Sequence, residues 1–549
     1  MMNRKRMIGL LMACMLVAMN GWGQQVVLSP ENGAKDVCVD THLSLTFDKD
    51  VTIGKKGKVK LWDAETGKMV DMLDMSIPAG PTASQPNNPN AIYTPTPYIY
   101  KEGPRATNRN TKAGTPSGAN QWDKSRYQWN IIGGFSDAFH FYPIIVHGKK
   151  ATIYLHNNML DYGKEYYVTI DKGVIEGFEG IKKGSWRFKI KAPTKSPRGE
   201  TLNSNSSLST LHDSRSTLHA SLSTLHASLS TIHASRSTLH VNPDKLITVA
   251  ADGTGDFCTL QGALDYVPDF AKSEAERWTI FVKNGEYEEI VYARNKCYVT
   301  IVGESRDGVL VHYANNEVFN PHPADIKTNE LKGTFPSRRA ATSLDNCHHL
   351  VLKNITFQTD CKGQAEGLLL NGSENYAENV RIVGSGDALQ ANGSAYWMNC
   401  EIDGDADTIL GRGPSFFNHC TLKGSFALMW IRNTEENHGN VFVDCTLVGK
   451  DNRTSIARLP SNHGKNYPHA ECVLLNCTLV NIVPMGYETV AEEARTAHLW
   501  EFNSHDEHGK PIDTSKRHPF VKQLDPIKDA EVIANYHDYR YVWQTRPQF

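Results

Sequence analysis

Asn399-Cys400-Glu401-Ile402, followed by Gly404, is one turn of a repeat that decides the fold. The pattern is an Asn, Asp or His, then Cys, Val or Ile, then any residue, then an aliphatic or Phe. It returns as Asn354-Ile355-Thr356-Phe357, Asn379-Val380-Arg381-Ile382, His419-Cys420-Thr421-Leu422, Asp444-Cys445-Thr446-Leu447 and Asn476-Cys477-Thr478-Leu479. Successive second positions are 25, 20, 20, 25 and 32 residues apart, and Gly384, Gly404, Gly424 and Gly449 close individual units. Strand-like alternation with this period, and with no helix-length amphipathic segment between units, means stacked coils. The expected fold is a right-handed parallel β-helix. Cys400, Cys420, Cys445 and Cys477 share one repeat position and read as an interior ladder of small apolar side chains rather than as disulfides.

In such a solenoid, equivalent residues of adjacent coils lie one strand spacing apart, roughly 4.8 Å. Asp387 follows Val380 by seven residues, and Asp407 follows Cys400 by seven. Two carboxylates held this close do not both ionise easily, so one pKa rises while the other stays low. The pair reads as an acid and a nucleophile. The plainer reading, two solvated turn residues after Gly, is the common use of Asp in a solenoid.

The chain of 549 residues exceeds one ordinary core, so two or more domains are expected. Its 58 Lys and Arg against 60 Asp and Glu give a net charge of −2, which does not suggest a nucleic-acid partner. Arg4, Lys5 and Arg6, an apolar run over 7–19 and small residues before Gln24 read as a signal peptide over 1–23. Cys14 after Leu11-Met12-Ala13 is a poor lipidation site, and no stretch approaches the roughly 20 apolar residues of a membrane span. An exported protein is expected, periplasmic or at the cell surface.

Residues 24–192 alternate polar and apolar, as in Leu43-Ser44-Leu45-Thr46-Phe47 and Tyr166-Tyr167-Val168-Thr169-Ile170, and predict a β-sandwich with a long insertion over 76–146. Trp122, Tyr127 and Trp129 in that insertion are read as packing rather than as sugar platforms. Residues 193–243 form a low-complexity linker in which His212, His219, His226, His233 and His240 recur every seventh position. A tether fits this composition better than a metal site. The opening Leu28-Ser29-Pro30-Glu31-Asn32-Gly33 and the stretch Leu160-Asp161-Tyr162-Gly163 resemble bacterial Ig-like domains. The whole chain is thus expected to be all-β, an Ig-like sandwich before a β-helix domain at 244–549.

From Ile247 onward the chain resembles the pectin methylesterases (pectinesterases). The likeness is carried by Asp252-Gly253-Thr254-Gly255-Asp256-Phe257, Gly285-Glu286-Tyr287-Glu288-Glu289, Gly363-Gln364-Ala365, Gly386-Asp387-Ala388-Leu389 and Gly404-Asp405-Ala406-Asp407-Thr408-Ile409. The resemblance implies that Asp407 is the nucleophile, Asp387 the acid and then the base, Gln364 the oxyanion donor and Arg458 the residue that orients Asp407. It implies pectin or another galacturonan as partner, a monomer, and no metal or cofactor. His348 and His349 show no metal-ligand spacing. By coil counting Trp430, Arg432 and Arg412 fall on the same face and are candidates for contact with an anionic sugar; Trp430 is equally a packing residue.

Three departures from the family pattern bear on specificity. Gly386 stands where the family has Gln, Leu459-Pro460 where it has Pro-Trp, and Thr408 where it has Phe. They predict a groove suited to a branched or decorated pectin. The same fold hosts pectate lyases and polygalacturonases, but neither their Ca²⁺ carboxylate cluster nor their Gly-His-Gly and Arg-Ile-Lys motifs are present. A pectin-binding protein that has lost catalysis is the other alternative.

Overall fold

The computed structural model describes residues 18–19, 25–82, 108, 127–134, 138–193, 243–321, 338–458, 461–462, 465–488 and 496–544. From Leu246 onward the strands form three parallel sheets of eleven, eight and six strands, visited in turn by each coil. This is a right-handed parallel β-helix, the hand that parallel crossovers take. The sequence repeat is the strand register: Phe357, Ile382, Ile402, Leu422, Leu447 and Leu479 pair in succession along the eight-stranded sheet.

The first repeat position is the corner before each of these strands. Asn354, Asn379, Asn399, His419, Asp444 and Asn476 have φ between 51° and 55°. Left-handed backbone costs most L-residues about 1–2 kcal/mol, and Asn and Asp tolerate it best. Successive corners also bond to each other, Asn379 Nδ2 donating to Asn354 Oδ1 at 2.8 Å. The second position points inward. The N–H of Cys400 donates to Cys420 Sγ and that of Cys420 to Cys445 Sγ, both at 3.3 Å, so the thiols serve the corner amides. All ten described cysteines are free thiols. Trp397, Phe417 and Phe442 stack along the same core with interplanar angles of 11° and 5°.

The open end of the first coil is closed by the helix Leu260–Tyr266, which buries Leu260, Ala263 and Leu264. Thr259 caps it, and Glu289 accepts from the N–H groups of Leu260 and Gln261 at 2.7 and 3.0 Å. Burial pushes the Glu289 pKa up to about 8. Tyr287 donates to the Lys283 carbonyl at 2.7 Å, so Gly285-Glu286-Tyr287-Glu288-Glu289 contributes architecture here. The other end of the chain, helices Ala530–Tyr536 and Tyr539–Val542, packs on Tyr396, Phe416, Val441 and Val473 of the eleven-stranded sheet.

Residues ahead of the β-helix form two five-stranded sheets around one core that includes Leu43, Leu45, Phe47, Val59, Leu61, Val168, Trp186 and Phe188. Asp40 leaves this sandwich to accept from the N–H groups of Cys258 and Thr259 and from Thr259 Oγ1, the last at 2.6 Å. Tyr127 and Trp129 are buried against His140, as packing residues. Their segment is seated on the β-helix through His140 N–H to Asn320 Oδ1 at 2.8 Å and Arg338 Nη1 to the Ala138 carbonyl at 2.7 Å. Trp122, the histidine repeat and most of the expected signal peptide lie outside the described residues; Ala18–Met19 pairs antiparallel with Gln25 and Val26. Among the described residues no helix is long and apolar enough to cross a membrane.

Asn379 allows the cost of a left-handed corner to be measured. Asn379→Val and Asn379→Gly both lose the amide bond to Asn354, but only Val is strained at φ 53°. Asn379→Val is expected to be less stable than Asn379→Gly by about 1–2 kcal/mol. Equal thermal unfolding midpoints for the two would refute it.

Candidate active site

Along the six-stranded sheet Leu368, Leu389, Ile409 and Met429 pair in succession and point into the core. Counting back two residues aligns Glu366, Asp387 and Asp407 on three consecutive coils. The expected pair of carboxylates is therefore a row of three, with Asp387 in the middle. Glu366 is fully buried and Asp387 is 4% exposed.

Two arginines hold the row. Arg458, on the coil beyond Trp430, donates Nε to Asp407 Oδ1 at 2.7 Å and Nη2 to Asp407 Oδ2, a two-pronged grip that fixes the plane of the carboxylate. Asp407 itself sits at φ 49°, the left-handed backbone that Asp tolerates and that the corners of this solenoid also adopt. Arg339 holds the other end. Its Nε donates to Glu366 Oε1 at 2.9 Å, its Nη1 to Glu317 Oε2 at 2.8 Å and to Gln364 Oε1 at 3.0 Å, and its Nη2 to Asp387 Oδ2.

Burial pushes the Asp387 pKa up to about 7. Arg339 and Arg432 pull it down, and the charges of Glu366 and Asp407 on either side push it up. The middle carboxyl is thus poised to change protonation near neutral pH. Gln364 is oriented by the same arginine. A guanidinium only donates, so Gln364 must turn its oxygen toward Arg339, which leaves its NH₂ turned away from Arg339 on an exposed residue.

Arg339, Glu366 and Glu317 were not among the residues read from the sequence. The pattern traced from Asn354 begins after the coil that supplies Arg339, and Arg338-Arg339 carries no repeat signature of its own. Pairing of Thr342 with Leu368 sets Arg339 opposite Ala365, which makes its reach to Gln364 and Glu366 a matter of register.

The departures resolve unequally. Gly386 has φ +71°, and a Cβ there would lie 2.6 Å from the Gly363 carbonyl oxygen, so this backbone excludes any side chain at the position where the family pattern has Gln. Thr408 is fully buried and donates Oγ1 to the Asp405 carbonyl at 3.2 Å. Contrary to the expectation that Thr408 alters the groove, it fills the interior. Leu459 and Pro460 lie outside the described residues. Trp430 is covered by cations: the Cζ atoms of Arg432 and Arg458 stand 4.6 and 4.3 Å from its ring centroid. Arg412 occupies the position equivalent to Arg432 one coil earlier.

Among the described residues two groups bring metal-ligand atoms together, Cys38 with Asp40 and Cys258, and Glu288 with His312 and Asp360. Neither includes a member of the carboxylate row. His348 is engaged by Ser373 Oγ and Asn346 Oδ1.

The sequence profile of one family, Pectinesterase, matches residues 246–544. Pectinesterase QRT1 of Arabidopsis thaliana is 26% identical over 302 residues, covering 52% of this chain and 74% of that protein. A pectinesterase/pectinesterase inhibitor of Ficus pumila var. awkeotsang is 32% identical over 153 residues, 27% of this chain and 25% of that one. The solved pectin methylesterase from carrot overlays with a TM-score of 0.43 at 19% identity, covering 54% of this chain and 92% of its own. With the family profile running over more than half of its 549 residues, the chain belongs to the pectinesterase family.

Proposed function

We propose that the protein is a carboxylic ester hydrolase that removes methyl esters from galacturonate residues of pectin. The observation that carries this reading is the row of carboxylates in register, with Asp407 gripped by Arg458 and Asp387 held near neutral pKa between two acidic neighbours. Asp407 attacks the ester carbonyl carbon, and the carbonyl oxygen takes up negative charge that the Gln364 amide stabilises. Protonated Asp387 gives its proton to the departing methoxide, and methanol leaves behind an acyl-Asp407 anhydride. Asp387, now ionised, takes a proton from water; the hydroxide attacks the uronate acyl carbon and regenerates Asp407 with release of the free acid. Both half-reactions use one proton held on one carboxyl, which suits a pKa near the working pH.

Arg339 supports the reading in two ways. It holds the Gln364 oxygen so that the amide N–H groups are turned away from it, and it offsets the burial and acidic neighbours that would otherwise lift Asp387 further. Residue roles, the pectin substrate and action as an exported monomer are parts of the same proposal.

Methanol release from methylated pectin decides the main point. Asp387→Asn and Asp407→Asn are each expected to lower kcat by about four orders of magnitude or more. Wild type and both variants releasing equally little methanol while binding pectin would leave a binding protein instead. Gln364→Ala is expected to lower kcat by about 10²–10³-fold with little change in KM; a pure KM effect would remove Gln364 from the oxyanion role.

The pH profile tests the acid. Acylation needs Asp387 protonated, so kcat/KM should fall as pH rises through about 7. Arg339 lowers the Asp387 pKa, so in Arg339→Gln the fall should move to higher pH, alongside loss of rate from the misdirected Gln364. A fall at unchanged pH would show that Arg339 does not govern this proton.

A further inference from the structure

A second cluster of ionisable side chains lies on the eight-stranded sheet, where the sandwich meets it. Glu288 ends the strand Gly285–Glu288, and pairing sets it beside His312 of the strand Val309–Tyr313 on the next coil. Asp360 follows the strand Thr356–Thr359 one coil further on, its N–H donating to the Tyr313 carbonyl at 3.1 Å. One ligand atom from each of Glu288, His312 and Asp360 lies within 4.8 Å of the other two. The sandwich adds His147, the last residue of the strand Ile144–His147, whose Nε2 is 2.9 Å from Glu288 Oε2.

The charges of this cluster are left without a permanent cation. Among the described residues the only ion-pair partners of Glu286, Glu288 and Asp360 are histidines, which are charged only when protonated. His312 is 5% exposed, and its ring stands between two carboxylates, with Nδ1 at 2.5 Å from Asp360 Oδ2 and Nε2 at 3.2 Å from Glu286 Oε1. Nε2 is out of solvent and makes no hydrogen bond among the described residues, so the buried ring is not satisfied as it stands. Whichever nitrogen takes a metal, the other has a carboxylate against it to fix the ring, the usual support of a metal-ligating histidine. Imidazole with carboxylate suits zinc, whereas calcium and magnesium take oxygen ligands. The group of Cys38, Asp40 and Cys258 is committed elsewhere: Asp40 accepts from amides, and Lys191 Nζ stands 3.3 Å from Cys38 Sγ, a cation where a metal would sit.

We propose that Glu288, His312 and Asp360, completed by His147 of the sandwich, form a zinc site that pins the sandwich to the β-helix. Two imidazoles and two carboxylates make the four ligands that a closed, structural zinc site takes. The His147 side chain is largely exposed and free to turn toward the cation, while His312 is fixed in the solenoid. The cation replaces the protons that the histidines would otherwise have to hold between the carboxylates. The site is independent of the esterase reading, since none of its residues belongs to the carboxylate row.

Equilibrium dialysis of the full-length chain against zinc chloride, followed by metal analysis, tests the site. Wild type should hold one zinc per chain more than His312→Ala; the histidines over 193–243 are common to both and cancel in the difference. Asp360→Asn changes an exposed carboxylate at nearly constant shape, and should weaken that zinc about tenfold or more, which separates loss of a ligand from loss of fold. Cys258→Ser should leave it unchanged. Equal zinc content and affinity in wild type, His312→Ala and Asp360→Asn overturns the site, as does a zinc that is lost in Cys258→Ser instead. Zinc at about 100 times its Kd should also raise the thermal midpoint of wild type by a few degrees and leave that of His312→Ala in place. A zinc that binds without raising the midpoint, or that binds His147→Ala as tightly as wild type, overturns the pin between the two parts.

Discussion

Backbone hydrogen bonding from coil to coil, with every strand parallel and in register with the next, is the constraint on which the rest of this molecule depends. It sets each equivalent residue one strand spacing from its counterpart, and so converts sequence period directly into distance. The core follows from it as ladders of Ile, Leu and Cys and a stack of aromatic rings. The carboxylate row follows from it too. Glu366, Asp387 and Asp407 stand in a row because Leu368, Leu389 and Ile409 pair two residues further on. The three carboxylates stand in the short segments that lead into these strands, so the register of the strands brings them together.

Register places charges without regard to their repulsion, and the arginines supply what register leaves undone. Three stacked carboxylates would expel one another if all were ionised and bare. Arg458 satisfies one end, Arg339 the other, and the centre is left with a carboxyl that changes protonation near neutrality. The glycine at 386 belongs to the same solution. With a left-handed backbone pressed against the Gly363 carbonyl, this coil has no space for a side chain, and the polar contact to Asp387 comes from an arginine two coils earlier.

Much of this was legible in the sequence, for reasons that differ by residue. The corner positions announce themselves because a left-handed backbone selects Asn, Asp and His, and the inward positions because they must be small or aliphatic. Asp387 and Asp407 could be located by counting from those corners. Arg339 could not, since its coil precedes the first clear corner of the pattern and its partners lie 22 to 48 residues away. Nor could the direction of Thr408 be read, because residues at a strand entry leave strict alternation and its hydroxyl finds a carbonyl inside. Trp430 was ambiguous by type, as a ring that suits a sugar also suits a guanidinium, and two guanidinium groups flank it.

Asp40 ties the two parts of the molecule together. The helix that closes the first coil begins at Leu260, yet amide groups at its start are satisfied by a carboxylate from 218 and 219 residues earlier in the chain. The edge from which the coils run is thus completed by a group that the β-helix does not itself carry, which ties the stability of its first coil to the sandwich.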